Sequence, residues 1–453
     1  MRLARWCLLW MLLCAAGAQR SVGAEDGQRP SAPVSFRREI APLLNRRCAA
    51  CHNEENAKGR YRVDSFRRLL KPGESDEKPV VAGRPDDSEL MRLLLEPDAN
   101  DRMPQKADPL PPAEIALIKR WIAEGAQFDG GAADRPLVEM AREAMLHPAP
   151  AHYPHALPIT ALAFSPTGEQ LAVSGYYEVT IWNIADGQLV RRIGGLPERI
   201  TALAWQAKRN LIAVAGGSPG QWGTVALIDP AGTGPPRILC DLPESALSVA
   251  FNPDGSQLAA GCGDRTIRLF DPSTGKQTRL VRQHADWVQT VAYSRDGQQI
   301  VSAGRDRTAR IMDAAKGELE VTYNGHDTPL LAAVFHPTGS TILSLGAHSR
   351  EIHRWDIATG QSKAKAFQFD AELLRFAVNG TLLYTTSLAD DTIQVSQLSD
   401  RAPLYTLYGH HASAQSMAFP RGTQTLASGS YDGEVILWDL ACGTWTQRFF
   451  AVP

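Results

Sequence analysis

Val249-Ala-Phe-Asn-Pro-Asp-Gly255 returns in altered form later in the chain, as Val291-Ala-Tyr-Ser-Arg-Asp-Gly297 and as Ala333-Val-Phe-His-Pro-Thr-Gly339. An aromatic anchor marks each copy, and consecutive anchors are 41 to 46 residues apart: Phe164, Trp205, Phe251, Tyr293, Phe335, Phe376 and Phe419. A second anchor follows each first one after 18 to 23 residues: Trp182, Ile228, Phe270, Met312, Trp355, Ser396 and Trp438. Repeats of this length, built from short alternating runs between turn residues, predict four strands per repeat. Residues 155–453 are therefore predicted to be all-β, in seven repeated units.

The last repeat contains polar residues that can satisfy one another inside a sheet: His410, Ser428, Asp432 and Trp438. Earlier repeats keep parts of this set: His326, Ser344 and Trp355 in one, and His284, Ser302 and Asp306, with Met312 replacing tryptophan, in another. With its Trp-Asp-like pairs, the pattern resembles the WD40 repeat family. The resemblance implies a closed seven-bladed β-propeller without open sheet edges, and we expect Trp445 to Phe450 to supply the outer strand of the last blade. The recurring histidines and aspartates are interpreted as structural, and no catalytic constellation is expected in the propeller.

Composition limits the classes of protein to which the chain can belong. At roughly 100–200 residues per domain, its 453 residues predict roughly two to four domains. A content of 21% charged and 44% hydrophobic residues is typical of a soluble globular protein. Because 47 Lys and Arg face 49 Asp and Glu, no excess of basic residues is available to neutralise phosphates, and nucleic acid is not expected as a partner. Cys240, Cys262 and Cys442 are expected to be buried thiols, with one disulfide as the alternative in an oxidising compartment.

The N-terminus has the composition of an export signal. Arg2 and Arg5 precede an apolar run at residues 6–18 that is too short to span a bilayer comfortably, and small residues suited to cleavage follow. An uncleaved anchor and a lipoprotein acylated at Cys14 are the alternatives. We predict a signal peptide at residues 1–24, no integral membrane span in the mature chain, and a soluble exported protein of the periplasm or cell envelope.

Residues 33–128 are predicted to form a small all-α domain ahead of the propeller. Phe36 and Ile40 recur at helical spacing with the leucines that follow them, and a later helix begins after Pro111. The glycine-rich stretch beyond it and the prolines that follow are interpreted as a linker at residues 129–154. The expected fold class is therefore multidomain, an all-α domain followed by an all-β propeller.

The residues that carry chemistry are concentrated in Cys48-Ala49-Ala50-Cys51-His52, a CxxCH motif typical of haem c attachment. Two thiols at this spacing can form thioethers with the two vinyl groups of one haem, and the adjacent histidine then ligates the iron. A redox-active CxxC pair and a zinc half-site are the alternatives. The first lacks the βαβ setting of thioredoxin-like proteins, and the second lacks a further pair of ligands nearby. We therefore predict one covalent haem c on Cys48 and Cys51, with His52 as the proximal iron ligand.

The second axial position needs another donor, which we sought between residues 25 and 150. The candidates are four methionines and one histidine: Met91, Met103, Met140, Met145 and His147. Met91 lies in an apolar helical stripe and is interpreted as core, whereas Met103 lies in a loop made rigid by Pro104. We predict Met103 as the distal ligand, with ordinary loop packing as the alternative. A His/Met pair raises the reduction potential and leaves no open iron position for a substrate.

The segment from Phe36 to Ala126 resembles the planctomycete-type cytochrome c domain. The likeness rests on the leading Phe-and-Ile helix, the CxxCH motif and three further elements: Gly83-x-Pro-x-x-Ser88-x-Leu90, Met103-Pro104 and Trp121-Ile-x-x-Gly125-Ala126. The resemblance implies covalent haem attachment at Cys48 and Cys51, with His52 and Met103 as axial ligands. Proteins that join this domain to WD40 repeats are a known architecture, so the resemblance covers nearly the whole mature chain.

These features predict a protein that is not an enzyme but an exported monohaem c-type cytochrome relaying single electrons. The propeller is expected to be a docking platform for a protein partner, and a redox partner protein, which the sequence does not identify, is expected as well. One alternative is a non-enzymatic scaffold or adaptor in which the haem is structural or sensory. The other is a haem-dependent redox enzyme, such as a peroxidase or a dehydrogenase subunit.

Overall fold

The computed structural model describes residues 32–54, 56–105, 107–362 and 367–451. The predicted signal peptide at residues 1–24 lies outside the described residues. Within the described ranges, no helix combines the length and the apolar character that crossing a bilayer would require.

A small helical region precedes the sheets, as the sequence predicts. In the described residues it consists of a π-helical turn, five α-helices and two 3-10 turns: Phe36–Ile40, α1 (Ala41–Arg47), α2 (Phe66–Leu69), α3 (Glu89–Leu95), α4 (Pro112–Ala123), α5 (Leu137–Met145), Lys58–Arg60 and Pro85–Asp87. Pro42 lies in the first turn of α1, and α4 begins at Pro112. A proline is tolerated there because the N–H groups of the first turn have no partner within the helix.

Helix α5 lies inside the segment predicted as a linker, residues 129–154. Its Leu137 and Met140 are buried in the same core as Phe36 and Trp121. Their spacing of three residues gives α5 an apolar face. The helical region therefore extends beyond its predicted end at residue 128. Glycines and prolines on either side of α5 favoured the interpretation as a linker, although the residues between them form a short amphipathic helix.

Antiparallel strands form the rest of the described chain. They are β1 (Leu162–Phe164), β2 (Gln170–Ser174), β3 (Tyr176–Asn183), β4 (Leu189–Gln206), β5 (Leu211–Ser218), β6 (Trp222–Ile228), β7 (Arg237–Leu242), β8 (Ala246–Phe251), β9 (Leu258–Cys262), β10 (Ile267–Phe270), β11 (Gln277–Val281), β12 (Val288–Tyr293), β13 (Gln299–Gly304), β14 (Ala309–Asp313), β15 (Leu319–Tyr323), β16 (Leu330–Phe335), β17 (Thr341–Gly346), β18 (Glu351–Asp356), β19 (Phe367–Gln368), β20 (Leu373–Asn379), β21 (Leu382–Ser387), β22 (Ile393–Gln397), β23 (Pro403–Leu407), β24 (Ala414–Ala418), β25 (Thr425–Ser430), β26 (Glu434–Asp439) and β27 (Thr444–Phe450).

The strands of the described chain pair mainly with their neighbours in sequence. Strands β1 to β7 form one sheet in sequence order, and five four-stranded sheets follow: β8–β11, β12–β15, β16–β19, β20–β23 and β24–β27. Strand β4 is long because its first part pairs with β3 and its last part pairs with β5. The C-terminal β27 is the outer strand of the last sheet, as predicted for Trp445 to Phe450.

Strand register places the second anchor of most repeats at one equivalent position. The tryptophan anchors all pair with an aliphatic residue of the preceding strand: Trp182 with Leu171, Trp355 with Ile342 and Trp438 with Leu426. In the sixth repeat Val378, not Phe376, pairs with Leu383, which in turn pairs with Ser396. The prediction of Phe376 as the sixth first anchor is therefore wrong by two residues, because a search for aromatic residues overlooks a valine at the anchor position.

The polar set of the last sheet forms hydrogen bonds in the protein interior. His410 Nε2 lies 2.6 Å from Ser428 Oγ, and Trp438 Nε1 donates to the same oxygen at 2.7 Å. Asp432, predicted to complete the set, instead accepts from the backbone N–H of Glu434 at 3.3 Å. The buried carboxylate of Glu434 faces the other imidazole nitrogen, with Oε2 3.5 Å from His410 Nδ1. The longer side chain of Glu434 reaches the histidine, so the prediction for Asp432 is wrong.

Two other sheets keep parts of this set. In the sheet of β12–β15, His284 Nε2 lies 2.8 Å from Ser302 Oγ, and its Nδ1 lies 3.0 Å from Asp306 Oδ2. In the sheet of β16–β19, His326 Nε2 lies 2.7 Å from Ser344 Oγ. Each histidine is buried and bonded within its own repeat, which agrees with a structural role.

The buried histidines make the stability of the sheets depend on pH. Burial, with the nearby His353, lowers the pKa of His326 to about 3, and burial lowers the pKa of His410 to about 4. Histidines of the unfolded chain titrate near about 6.5, so the unfolded chain takes up protons that the folded chain cannot, and stability falls as the pH drops below that value. We expect these two histidines to lower the free energy of unfolding in urea by on the order of 3 kcal/mol between pH 7 and pH 5. A variant with His326→Asn and His410→Asn should lose most of this difference, and an unchanged pH dependence would contradict the assignment.

Buried polar contacts join the helical region to the first sheet. Arg142 of α5 donates to Asp241 of β7 at 2.5 Å, and only 17% and 8% of these side chains are exposed. Before β1, the hydroxyl of Tyr153 donates to Glu178 at 2.5 Å, and Arg192 donates to the same carboxylate at 2.8 Å. The end of the predicted linker is therefore fixed to β3 and β4.

Candidate haem-binding site

The CxxCH motif forms a hydrogen-bonded turn at the C-terminal end of α1. Cys48 caps the helix, and its backbone N–H donates to the carbonyl of Leu44 at 2.9 Å. The chain then reverses, with the N–H groups of Cys51 and His52 donating to the Cys48 carbonyl at 3.2 and 3.1 Å. Cys51 is exposed, whereas Cys48 and His52 are half-buried. The three residues are therefore held in a compact turn at the edge of the helical region.

Segment 61–63 orients His52. Its Nδ1 lies 3.2 Å from the carbonyl oxygen of Tyr61, and its own carbonyl accepts from the N–H of Val63 at 2.8 Å. Because a carbonyl oxygen can only accept, this contact selects the tautomer of the neutral imidazole that has its proton on Nδ1 and a lone pair on Nε2. A neutral imidazole whose other nitrogen is hydrogen-bonded is the form that ligates a metal.

The loop after α3 holds Met103. Its backbone N–H donates to the carbonyl of Leu93 at 2.9 Å, and its half-buried side chain packs against the helical core. Met91 and Met140 lie inside that core, with 2% and 0% of their surfaces exposed. The expectation that Met91 is a core residue is confirmed.

A cavity of about 480 Å³ brings the four predicted site residues together. Cys48, Cys51, His52 and Met103 all line it. Its largely apolar walls come from the segment after the motif and from α3: Tyr61, Val63, Leu90, Leu93 and Leu94. The CxxCH turn and the methionine loop, which are distant in sequence, therefore face one space.

The donors around this cavity fit a covalent haem. Burial raises the pKa of the Cys48 thiol to about 12, so this thiol is neutral at neutral pH. Within the described ranges, no group of three His, Cys, Asp or Glu side chains could hold a metal ion. Two free thiols, an unprotonated Nε2 and a thioether on an apolar cavity are the groups that haem c attachment and axial ligation require.

The Gly-x-Pro-x-x-Ser pattern positions the cavity wall. The buried hydroxyl of Ser88 accepts from the N–H of Val81 at 2.9 Å and donates to the carbonyl of Arg84 at 3.0 Å. Gly83 adopts a φ of 76°, which favours glycine, and its N–H donates to the carbonyl of Ile122 in α4 at 2.8 Å. These bonds fix the start of α3, whose leucines line the cavity.

Sequence reasoning missed two features of this site. Tyr61 lines the cavity and contacts His52, yet it belongs to no motif. Its only available signal was an aromatic residue soon after the CxxCH motif, in a segment without periodicity. Arg46 and Arg47, at the end of α1, form ion pairs with Glu114 of α4 at 2.8 and 2.9 Å, which hold the motif-bearing helix against α4.

The cysteines of the part of the chain that forms strands β1 to β27, here called the β-region, do not line this cavity. Cys240 is half-buried, Cys262 is buried and Cys442 is exposed, and all three are free thiols. The expectation of burial is therefore wrong for Cys442, which lies in the turn before β27, and the alternative of a disulfide is not observed among the described residues.

Family comparisons match both parts of the chain. A family model described as planctomycete cytochrome C matches residues 48–106, from the first cysteine of the motif to just beyond Met103. The model for the WD domain, G-beta repeat, matches residues 242–271, 275–313 and 401–439.

Individual relatives are similar over shorter lengths. The chain is 28% identical over 127 residues to the ribosome biogenesis protein YTM1 of Phaeosphaeria nodorum, a match that covers 26% of each protein. It is 31% identical over 118 residues to transducin beta-like protein 3 of Mus musculus, covering 25% of this chain and 15% of the relative. The chain thus spans about a quarter or less of the relatives it matches. From the family matches, the chain joins a planctomycete cytochrome C domain to WD40 repeats.

Proposed function

We propose that this protein is an exported monohaem c-type cytochrome that relays single electrons, and that its WD40 sheets dock a protein partner. The observation that carries the proposal is the convergence of Cys48, Cys51, His52 and Met103 on one largely apolar cavity. The match to a cytochrome family over residues 48–106 supports it. A covalently attached haem supplies reversible one-electron chemistry when bound.

Each site residue has one task in this proposal. The thiols of Cys48 and Cys51 attach the group covalently, so that it stays bound in both oxidation states. His52, through Nε2, and Met103, through its thioether, would hold the iron of the bound group. With both donors bound, no iron position would remain for a substrate, which favours electron transfer over catalysis. The apolar wall limits access of water.

We also propose that the repeats close into a seven-bladed propeller, in which β1–β7 supply two blades that share β4 and each four-stranded sheet supplies one. Hydrogen bonds between the segment just before β1 and the last sheet support closure. Ile159 N–H donates to the carbonyl of Ser430 at 3.0 Å, and Ser416 Oγ donates to the carbonyl of Ile159 at 2.7 Å. Leu162 and Val435 share one hydrophobic cluster. Closure removes open sheet edges and makes a rigid docking platform for the partner.

Expression of the full chain, with its N-terminal segment, in a bacterial host that matures c-type cytochromes tests the proposal. We expect an exported product whose haem remains attached on a denaturing gel, whose mass is increased by one haem, and which titrates reversibly with one electron and a low-spin His/Met spectrum. A variant with Cys48→Ser and Cys51→Ser should carry no covalent haem, whereas Cys442→Ser, which changes an exposed thiol outside the cavity, should carry it unchanged.

Other outcomes of this experiment separate the alternatives. A colourless product with unmodified thiols would contradict the proposal and leave only a WD40 adaptor. Turnover with peroxide would favour a redox enzyme. A coloured protein that cannot be reduced and reoxidised reversibly would favour a structural haem.

A further inference from the structure

Tyr61 contacts the imidazole of His52 with both its backbone and its ring. The carbonyl oxygen lies 3.2 Å from Nδ1, and the two ring centroids are 5.5 Å apart at an interplanar angle of 65°. Both residues line the same cavity. From this geometry we propose that the side chain of Tyr61 positions its own backbone carbonyl against His52. The side chain thereby sets the strength of the hydrogen bond at Nδ1 and, through it, the reduction potential of the iron that His52 would ligate. This inference rests on the haem function proposed above.

The far end of the Tyr61 side chain is anchored in the helical core. Its hydroxyl donates to the carbonyl of Leu69 at 2.9 Å, and Leu69 of α2 is fully buried. Near the backbone, a Cβ atom at Gly73 would lie 2.5 Å from the carbonyl oxygen of Gly59 and 3.1 Å from Cβ of Tyr61. Only a glycine at position 73 therefore lets the loop that contains it pack so closely on Tyr61. The carbonyl that faces His52 is held by contacts at both ends of the residue.

The hydrogen bond from the Tyr61 hydroxyl to the Leu69 carbonyl affects the reduction potential of the iron that His52 would ligate. Donation from Nδ1–H to a carbonyl raises the basicity of the imidazole, and a more basic ligand stabilises the oxidised metal. Without the contact to Leu69, the ring remains but Tyr61 and its carbonyl are free to shift. The hydrogen bond then weakens, the imidazole becomes less basic, and the reduction potential rises.

Tyr61→Phe in the haem-loaded full-length protein tests this inference, because it removes only the hydroxyl. We expect unchanged covalent haem content, a higher reduction potential than that of the wild type, and altered g-values in the electron paramagnetic resonance spectrum of the oxidised protein. Tyr405→Phe is the matched control, since the hydroxyl of Tyr405 donates in the same way to the carbonyl of Leu440, at 3.0 Å, in the β-region. This control should leave the potential and the g-values unchanged.

A potential and g-values equal to those of the wild type in Tyr61→Phe would overturn the inference. A second measurement does not depend on how the variant folds. In wild-type protein with isotopically labelled histidine, the Nδ1–H proton of His52 should give a resonance that exchanges slowly with solvent, and rapid exchange would also overturn the inference. A wild-type product without covalent haem would instead contradict the proposed function, so the two failures are distinguishable.

Discussion

Met103→Ala should leave the haem covalently attached but abolish the low-spin His/Met spectrum and lower the reduction potential by roughly 0.2 V, about a quarter of the range that axial ligands span. The thioether is the soft ligand that stabilises reduced iron, and alanine cannot reach the metal. The position that it vacates becomes accessible to small iron ligands. Spectroelectrochemical titration, followed by titration with imidazole, measures both changes.

Met91→Ala is the matched control for this prediction. Met91 belongs to the same helical core and is only 2% exposed, but it does not line the cavity. Its truncation should lower the free energy of unfolding by about 2–5 kcal/mol by leaving a void, with no change in spectrum or potential. If Met103→Ala keeps the wild-type spectrum, the distal ligand is another residue and the loop only packs against the core.

Ser428→Ala should lower the stability of the β-region by roughly 2–6 kcal/mol, because one hydroxyl serves two buried partners. Its Oγ lies 2.6 Å from His410 Nε2 and accepts from Trp438 Nε1 at 2.7 Å, and Ser428 itself is fully buried. The substitution leaves both nitrogens without a partner, at about 1–3 kcal/mol each. Urea unfolding followed by tryptophan fluorescence gives the difference.

Ser302→Ala provides the comparison within the same chain. Ser302 bonds His284 at 2.8 Å, but the residue at the tryptophan position of this repeat is Met312, which has no N–H in its side chain. The other bond of Ser302 is a long one, from its hydroxyl to the backbone carbonyl of Arg310 at 3.5 Å. One buried side-chain nitrogen loses its partner instead of two, so we expect about half the effect of Ser428→Ala, roughly 1–3 kcal/mol. Equal losses in the two variants would show that the bond from Trp438 contributes nothing.

Most residues of the candidate site could be named from the sequence because haem attachment is a local pattern. Cys48, Cys51 and His52 lie within one turn, and the structure places them with Met103 on one cavity. Their roles as haem ligands stay predictions. Tyr61 could not have been assigned, because its importance comes from a loop that folds back onto His52.

In the β-region, too, the general pattern could be predicted from the sequence but single positions could not. Its repeated antiparallel sheets followed from the spacing of the anchors. Val378 takes the anchor position predicted for Phe376, and Glu434, not Asp432, faces His410. Each error arose where a residue type was matched without knowledge of strand register, which decides the face of the sheet on which a side chain lies.

The order of the elements, helices first and repeated four-stranded sheets after them, was determined by the amino-acid pattern alone, because helical and strand periodicity and turn residues act over a few neighbours. The burial of α5, the contact of Arg142 with Asp241 and the contact of Tyr61 with His52 were decided only in the folded chain. These contacts depend on which distant segments come within hydrogen-bonding or packing distance, and no local pattern in the sequence records that distance.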